Sequence, residues 1–411
     1  MSGCGAEKGL ISIDDALALI QSTPSALTVE QLPLTECLNR YLAQDVYSGV
    51  DLPTFSQSAV DGYAICSSSE NLQDSVFEVI GEIKAGSELD HQLLQGQAIR
   101  IFTGGKIPTG TTHVARQEIV KIESNKKIRL VEHIQQQADI RFAGEEIQLG
   151  QKIAECGQKV NIGALAALSM IGVRSIAVYR LPKVAVLVTG DEVAETPEDL
   201  KAGKVFDANG PLLKAWFEDY GIEINILHIA DESQRVTQCF NQLKQQYDVI
   251  ITTGGVSVGD YDFVRPCSFE AGFEQIFWKV KQKPGKPLFF AQYIEDEHRC
   301  FLLGLPGNPA AVYVCMQIYG KVLLDALQNQ NQDQSINWFS GTLTHELKSD
   351  ARERFLRMQA YYEHGQLKLK SLAKQQSHML SNLMQANCLV RVPASTKLEI
   401  GKELTGVFIA T

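Results

Sequence analysis

The chain has 411 residues, with 45% hydrophobic and 21% charged side chains and a formal net charge of −10. That is the balance of a soluble globular protein of roughly two to four domains. The acidic surplus excludes a general nucleic-acid binder, whose footprint would be basic, and leaves room for a local basic pocket. Nine cysteines are scattered without a C-x-x-C pair. Their odd number and spacing argue against a disulfide framework or structural zinc and fit a reducing cytosol. The eight histidines form no H-E-x-x-H cluster, so histidine-bound zinc is not expected. The N-terminus has no apolar core of the signal-peptide kind, and no stretch approaches the ~20 apolar residues of a membrane span. A cytoplasmic protein without a membrane or nucleic-acid partner is the expectation.

Ser12-Ile-Asp-Asp15 before Ala16–Ile20 reads as a capped amphipathic helix, ended by Pro24. Leu34–Leu42 predicts a helical segment. Together 1–47 form a helical linker region, expected to pair with a returning segment, 144–180, whose helix ends at Gly172. Between them, 48–143 has short periodicity. Phe77–Ile83, Ala98–Phe102, His113–Val120 and Lys127–Val131 predict strands of a mostly β module.

From 181 to 327 the pattern changes to strand–helix alternation. Strands are predicted at Val184–Thr189, Ile222–Ile229, Val249–Thr253 and Phe301–Leu305. Helices are predicted at Pro211–Tyr220, Glu232–Gln246 and Pro309–Leu327. Apolar strands in that order predict a parallel sheet flanked by helices, a three-layer α/β domain. Gln328–Gln334 reads as a polar linker, and the short strands of 336–411 predict a small β-barrel. The fold class is thus a multidomain α/β plus β chain.

The richest segment is Asp248–Asp262, where a β-branched strand runs into Gly254, Gly255, Ser257 and Gly259. Exposed N–H groups in such a turn form a nest for an anion. It lies beyond the carboxyl end of a strand, where open α/β sheets bind ligands. An ordinary glycine-rich loop is the plainer alternative. Asp191, Glu192, Asp231, Asp260 and Asp262 follow three strand ends at the same sheet edge. Gathered carboxylates repel one another unless a cation or protonation relieves them, and oxygen donors suit Mg²⁺. For Asp231, helix capping stands beside the cation reading. In Phe277–Pro287, Lys279, Lys281 and Lys283 share one face if the strand is regular. Lys286 sits between Gly285 and Pro287, so stiff backbone would present ammonium groups to a phosphate or another oxyanion. A solvated edge strand is the alternative there. Finally, Leu303–Ala310 ends a strand and starts a helix with Asn308 as N-cap and Pro309 at the first position, its N–H groups facing an anion.

These segments, with Ser58–Ala64, Thr103–Gly110, Gln117-Glu118, Gly144–Ile147, Thr189–Glu192, Gly254–Gly259, Lys283–Pro287, Leu305–Pro309 and Arg352–Arg357, resemble the molybdopterin molybdenumtransferase family, MoeA in bacteria and the E domain of gephyrin-like proteins. The resemblance covers nearly the whole chain. It implies a transferase that inserts molybdate into adenylylated molybdopterin and releases AMP and molybdenum cofactor, the last step of that cofactor's biosynthesis, assisted by Mg²⁺ or another divalent cation. It implies catalytic roles for Asp61, Glu192, Asp262, Lys279 and Lys283, with Glu192 and Asp262 at the metal. Substrate contacts are implied for Thr103, Asp231, Gly254, Gly255, Ser257, Gly259, Lys286, Pro306, Gly307, Asn308, Arg354 and Ser377. A homodimer is implied, with Asp61 and Thr103 acting across the interface, as are contacts with molybdopterin adenylyltransferase and molybdoenzyme maturation proteins. Three departures stand out: Ala311 where many relatives carry Ser, Ala115-Arg116 in place of an apolar pair, and Asp207-Ala-Asn209 in place of an Asp-Thr-Asn type. Two rivals remain: an adenylyltransferase, which would resemble the α/β domain alone, and a binding scaffold that has lost the chemistry.

Overall fold

The structure is a computed structural model. It describes residues 10–87, 92–190, 193–194, 198, 204–257, 259, 262–330 and 336–409. The predicted site residues Asp191, Glu192 and Asp260 lie outside these.

The centre of the molecule is a six-stranded sheet in the order Ile224–Ile229, Val184–Thr189, Val249–Thr253, His298–Leu305, Phe289–Glu295, Glu274–Trp278. The first four strands are parallel. The last two extend the sheet as antiparallel neighbours, an addition the alternation pattern did not reveal. Every residue of Val184–Thr189 and Val249–Thr253 is buried, because both sheet faces are covered. Side chains divide by the two-residue period of a strand. Val184, Val186 and Val188 join one core with Leu213, Phe217, Leu323 and Leu324, while Ala185 and Leu187 join the other with Val236, Phe240 and Val264. Each fully buried aliphatic side chain contributes about 1.5–3 kcal/mol, so these two cores make the sheet edge a rigid platform.

The helix Asn209–Tyr220 starts two residues before the predicted Pro211. Asp207 Oδ1 accepts the N–H groups of Asn209 and Gly210 at 2.9 and 3.0 Å and so caps an earlier turn. The stretch Pro309–Leu327 has the length and composition of a membrane span, with mean hydropathy 1.4. The core accounts for that apolarity, since 78% of its 18-residue window is buried.

The first helix, Ile13–Ser22, carries a capping box formed by Ser12 and Asp15. Its Ile13, Ala16 and Ile20 enter the α/β core beside Leu323 and Leu324. Val29–Pro33 pairs antiparallel with Ser175–Tyr179, and Val46–Tyr47 pairs with Lys152–Ala154. The predicted helix Leu34–Leu42 is reduced to a 3₁₀ turn at Leu34–Glu36. Asn39 takes a left-handed backbone, and its N–H bonds the Val160 carbonyl, so the segment is spent on pairing with the returning chain. Arg180 then fastens this region to the α/β domain through a two-pronged bond to Asp248 at 2.6 and 2.7 Å.

The β module is a six-stranded sheet in the order His113–Arg116, Gly62–Ile65, Gln97–Ile101, Val76–Ile83, Lys127–Leu130, Val120–Ser124. The predicted strand His113–Val120 is broken by a 3₁₀ turn at Gln117–Ile119, where the Gln117 N–H turns to the Asp61 carbonyl. The C-terminal region is a closed barrel: Glu353–Glu363, Gln366–Ser371, Phe339–Leu343, Glu403–Phe408 and Cys388–Val392, the last pairing back to the first.

Candidate functional site

At the carboxyl ends of the parallel strands the backbone does most of the shaping. Gly254 N–H donates to the Leu305 carbonyl at 3.0 Å, tying the glycine turn to the Pro306-Gly307-Asn308 turn. Gly255 is left-handed, and a Cβ there would stand 2.7 Å from Val264 Cγ2, so only glycine fits. Asn209 Nδ2 donates to the Gly307 carbonyl at 2.9 Å. Asn209 Oδ1 is buried with no hydrogen-bond partner among the described residues. The Asp207–Asn209 segment, read in the sequence only as a departure, thus belongs to this edge. Its signal was available: a polar pair directly before a predicted helix.

Asp262 closes the glycine turn. Its Oδ2 accepts the Gly259 N–H at 2.5 Å. Ser257 and Gly259 are exposed. Asp231 stands in the turn after Ile224–Ile229, one residue before Glu232, the N-cap of Ser233–Leu243. The helix Pro309–Cys315 begins as predicted with Asn308 at its N-cap and Pro309 first, but the Asn308 side chain makes no capping bond. The Asn308 carbonyl accepts the Ala311 and Val312 N–H groups, and the Ala310 N–H donates to the Ser377 carbonyl at 3.1 Å. Ser377 of the barrel is therefore brought to this helix start. Ala311 is only 1% exposed, packed in the core.

The expected regular lysine strand does not form. Glu274–Trp278 ends before Lys279, which is left-handed with φ 71°, and Gln282–Lys283 is a separate short strand. Lys279, Lys281 and Lys283 therefore share no strand face. The departure has a cause: the Lys281 N–H bonds the Ile11 carbonyl and the Ile11 N–H bonds the Lys279 carbonyl, so the N-terminal segment takes up the edge. Lys279 Nζ instead lies 4.1 Å from the centre of the Trp278 ring, with the Arg265 guanidinium also 4.1 Å from it. Trp278 Nε1 donates to the Val256 carbonyl at 2.8 Å. This tryptophan, missed in the sequence, connects the glycine turn to the lysine segment. Lys283 goes to the barrel: its Nζ meets Asp350 Oδ2 at 2.8 Å, and the strand Gln282–Lys283 pairs with Glu353 and Arg354. That ammonium is the main cause holding the Asp350 carboxyl below its ordinary range. Arg354 donates to the Lys348 carbonyl at 2.6 Å. Lys286 is half-buried, and its carbonyl accepts the Val280 and Leu288 N–H groups.

Asp61 and Thr103 meet in the β module. Asp61 Oδ1 accepts the Thr103 N–H at 2.8 Å and the Thr103 hydroxyl at 2.9 Å. The backbone bond from Thr103, followed by its hydroxyl bond, lowers the Asp61 pKa. Arg116, the unusual residue nearby, grips Asp139 with two bonds of 2.8 and 2.7 Å. Among the described residues no three His, Cys, Asp or Glu side chains gather in a metal-binding group.

The chain can now be placed among known proteins. Residues 11–172 match the MoeA N-terminal region (domain I and II), 185–326 a probable molybdopterin-binding domain, and 340–405 the MoeA C-terminal region (domain IV). A molybdopterin molybdenumtransferase of Haemophilus influenzae is 33% identical over 386 residues, covering 93% of this chain and 94% of that protein. One from Staphylococcus aureus (strain COL) is 30% identical over 400 residues, covering 94% and 92%. The crystal structure of the molybdopterin biosynthesis moeA protein from Pyrococcus horikoshii OT3 superimposes with a TM-score of 0.82 at 25% identity, covering 97% of this chain and 100% of that one. This chain belongs to the MoeA family of molybdopterin molybdenumtransferases.

Proposed function

We propose that this enzyme inserts molybdate into adenylylated molybdopterin, releasing AMP and molybdenum cofactor. The observation that carries this reading is the full-length match: the β module and barrel are present beside the α/β domain, over 93% of the chain. An adenylyltransferase would need only the α/β domain.

The site chemistry supports the reading. The glycine turn offers backbone N–H groups to phosphate. Lys279, Lys283 and Lys286 supply ammonium groups for molybdate or phosphate, held there by the Trp278 stack, the barrel and the turn. Electrostatic positioning is the main contribution such residues make. A divalent cation fits this donor chemistry. Asp262 is a hard oxygen donor with one oxygen engaged by Gly259, and Mg²⁺ usually takes one or two carboxylates plus substrate phosphates. Asp262 would hold it, with Glu192 as a second donor. Such an ion neutralises charge building on the phosphoanhydride. The Asp61–Thr103 pair belongs to a different sheet, and in a homodimer it would complete the site of the second copy. The eight described cysteines are all free, in keeping with a cytoplasmic enzyme.

The test is AMP release from adenylylated molybdopterin, with and without molybdate, by the wild type and by Asp262→Ala. Molybdate-dependent release that falls about 100-fold or more in the folded variant is expected. ATP-dependent adenylylation of molybdopterin by the wild type, or tight peptide binding without AMP release, would overturn the assignment.

A further inference from the structure

The turn Lys283-Pro284-Gly285-Lys286 is anchored from below by one buried side chain. Gln282 is fully buried. Its Nε2 donates to the Gly285 carbonyl at 3.1 Å and lies 3.7 Å from Cys315 Sγ, while its Oε1 accepts the Tyr319 hydroxyl at 2.5 Å. Tyr319 is also fully buried and lies in Met316–Gly320, a single π-helical turn between the α-helices Pro309–Cys315 and Lys321–Leu327. Such turns interrupt helices frequently at functional sites. From this one the Tyr319 hydroxyl reaches Gln282 Oε1 and is its only polar partner seen among the described residues. Gly285 is left-handed with φ 93°, and a Cβ on it would lie 2.6 Å from both Cys315 Sγ and Gln282 Nε2. The turn therefore rests directly on the helix, with no room for even one methyl group.

The same helical stretch begins at Asn308, directly after Gly307 and close to Leu305, whose carbonyl accepts the Gly254 N–H of the glycine turn. One rigid element thus sets the distance between the backbone anion nest and the lysine turn. We propose that Tyr319, acting through Gln282, is a positioning residue for this reaction: the π turn fixes where Lys283 and Lys286 stand relative to the anion nest. The inference rests on the functional reading above, which gives those lysines an anionic partner.

The experiment measures kcat and KM for molybdate-dependent AMP release, and thermal stability, for Tyr319→Phe, for Tyr319→Phe with Gln282→Leu, for Lys286→Ala, and for Tyr319→Phe with Lys286→Ala. Tyr319→Phe should lower kcat about tenfold with a smaller change in KM, since a misplaced charge costs most in the transition state. It strands a buried amide oxygen, so its Tm should fall. Adding Gln282→Leu removes the stranded group and should restore Tm while leaving kcat low. In the Lys286→Ala background Tyr319→Phe should cost clearly less than tenfold, because one of the two ammonium groups it positions is already gone. Wild-type kcat in Tyr319→Phe, recovery of kcat together with Tm, or full additivity with Lys286→Ala would each overturn the proposal. Full activity in Lys286→Ala and in Lys283→Ala would instead overturn the functional reading of the turn.

Discussion

Lys279 and Lys283 stand four residues apart, yet different domains govern them. The α/β domain holds Lys279 by a left-handed backbone and the face of Trp278. The barrel holds Lys283 by Asp350 and by strand pairing with Glu353 and Arg354. The first arrangement sets the ammonium against an aromatic quadrupole, which attracts a cation without neutralising its charge. The second joins it to a carboxylate. The lysine segment is therefore a splint between two domains. One of its charges is displayed by packing and the other is restrained by an ion pair that an incoming anion would have to compete with.

The largest effect should come from Trp278→Leu. It removes the surface that supports both Lys279 and Arg265 and the bond to Val256 beside Gly255. A loss of about 2–3 kcal/mol in urea denaturation is expected, with AMP release reduced more than Lys279→Met alone reduces it. Equal activity losses in the two variants would mean that the tryptophan serves the lysine only, and not the glycine turn. Next, Lys279→Met and Lys283→Met should both lower activity but differ in salt response. Raising ionic strength screens the half-exposed Lys283–Asp350 pair, whose side chains are 49% and 20% exposed, so the difference between Lys283→Met and wild type should narrow in salt. A parallel response would mean that the Asp350 ion pair does not restrain Lys283.

Smaller again is Asp350→Asn, worth below about 1 kcal/mol at neutral pH as a partly exposed pair. Its value lies in pH. The folded carboxyl is held below its ordinary value, so its stabilising contribution is complete above the usual aspartate range near ~4. It is lost as pH falls through the lowered folded value. Thermal melts between pH 2 and 6 should show a shallower acid limb in Asp350→Asn than in wild type, and an unchanged limb would remove the carboxylate from the account. The smallest expected stability change is for Asp61→Asn, because Asp61 is exposed and its acceptor oxygen Oδ1 is retained. Activity should nevertheless drop, and mixing it with Asp262→Ala should regain part of the lost rate if the two residues serve one site across a homodimer. No regain on mixing would place both residues in separate roles within one copy.

Much of the architecture was legible because it depends on periodicity. Val184–Thr189 and Val249–Thr253 fell where short apolar runs rich in β-branched residues placed them, and Pro309 opened its helix because its missing N–H costs nothing there. Asp61 and Thr103 were legible as motif residues, though not as bonded partners. The lysine segment was misread for a physical reason. Alternation identifies a strand but not which chain pairs with it, and Ile11, far away in sequence, takes the edge positions at Lys279 and Lys281. The helix expected at Leu34–Leu42 failed in the same way, since the Asn39 and Leu42 N–H groups go to the Val160 and Gln158 carbonyls. Trp278 and Tyr319 were invisible as site residues because they act through contacts with residues distant in the chain, and no local spacing encodes such contacts.

The amino-acid sequence by itself determined the buried strands, the helix starts, the glycine positions and the inventory of charges, because these follow from side-chain size, branching and backbone freedom within a few residues. Tertiary structure alone decided which charges meet. Lys283 could reach Asp350, and Gln282 could reach Tyr319, only after two domains had packed and a helix had taken a π turn. The direction of a buried or half-buried polar group is set by the partner that satisfies it, and here those partners are 67 and 37 residues away.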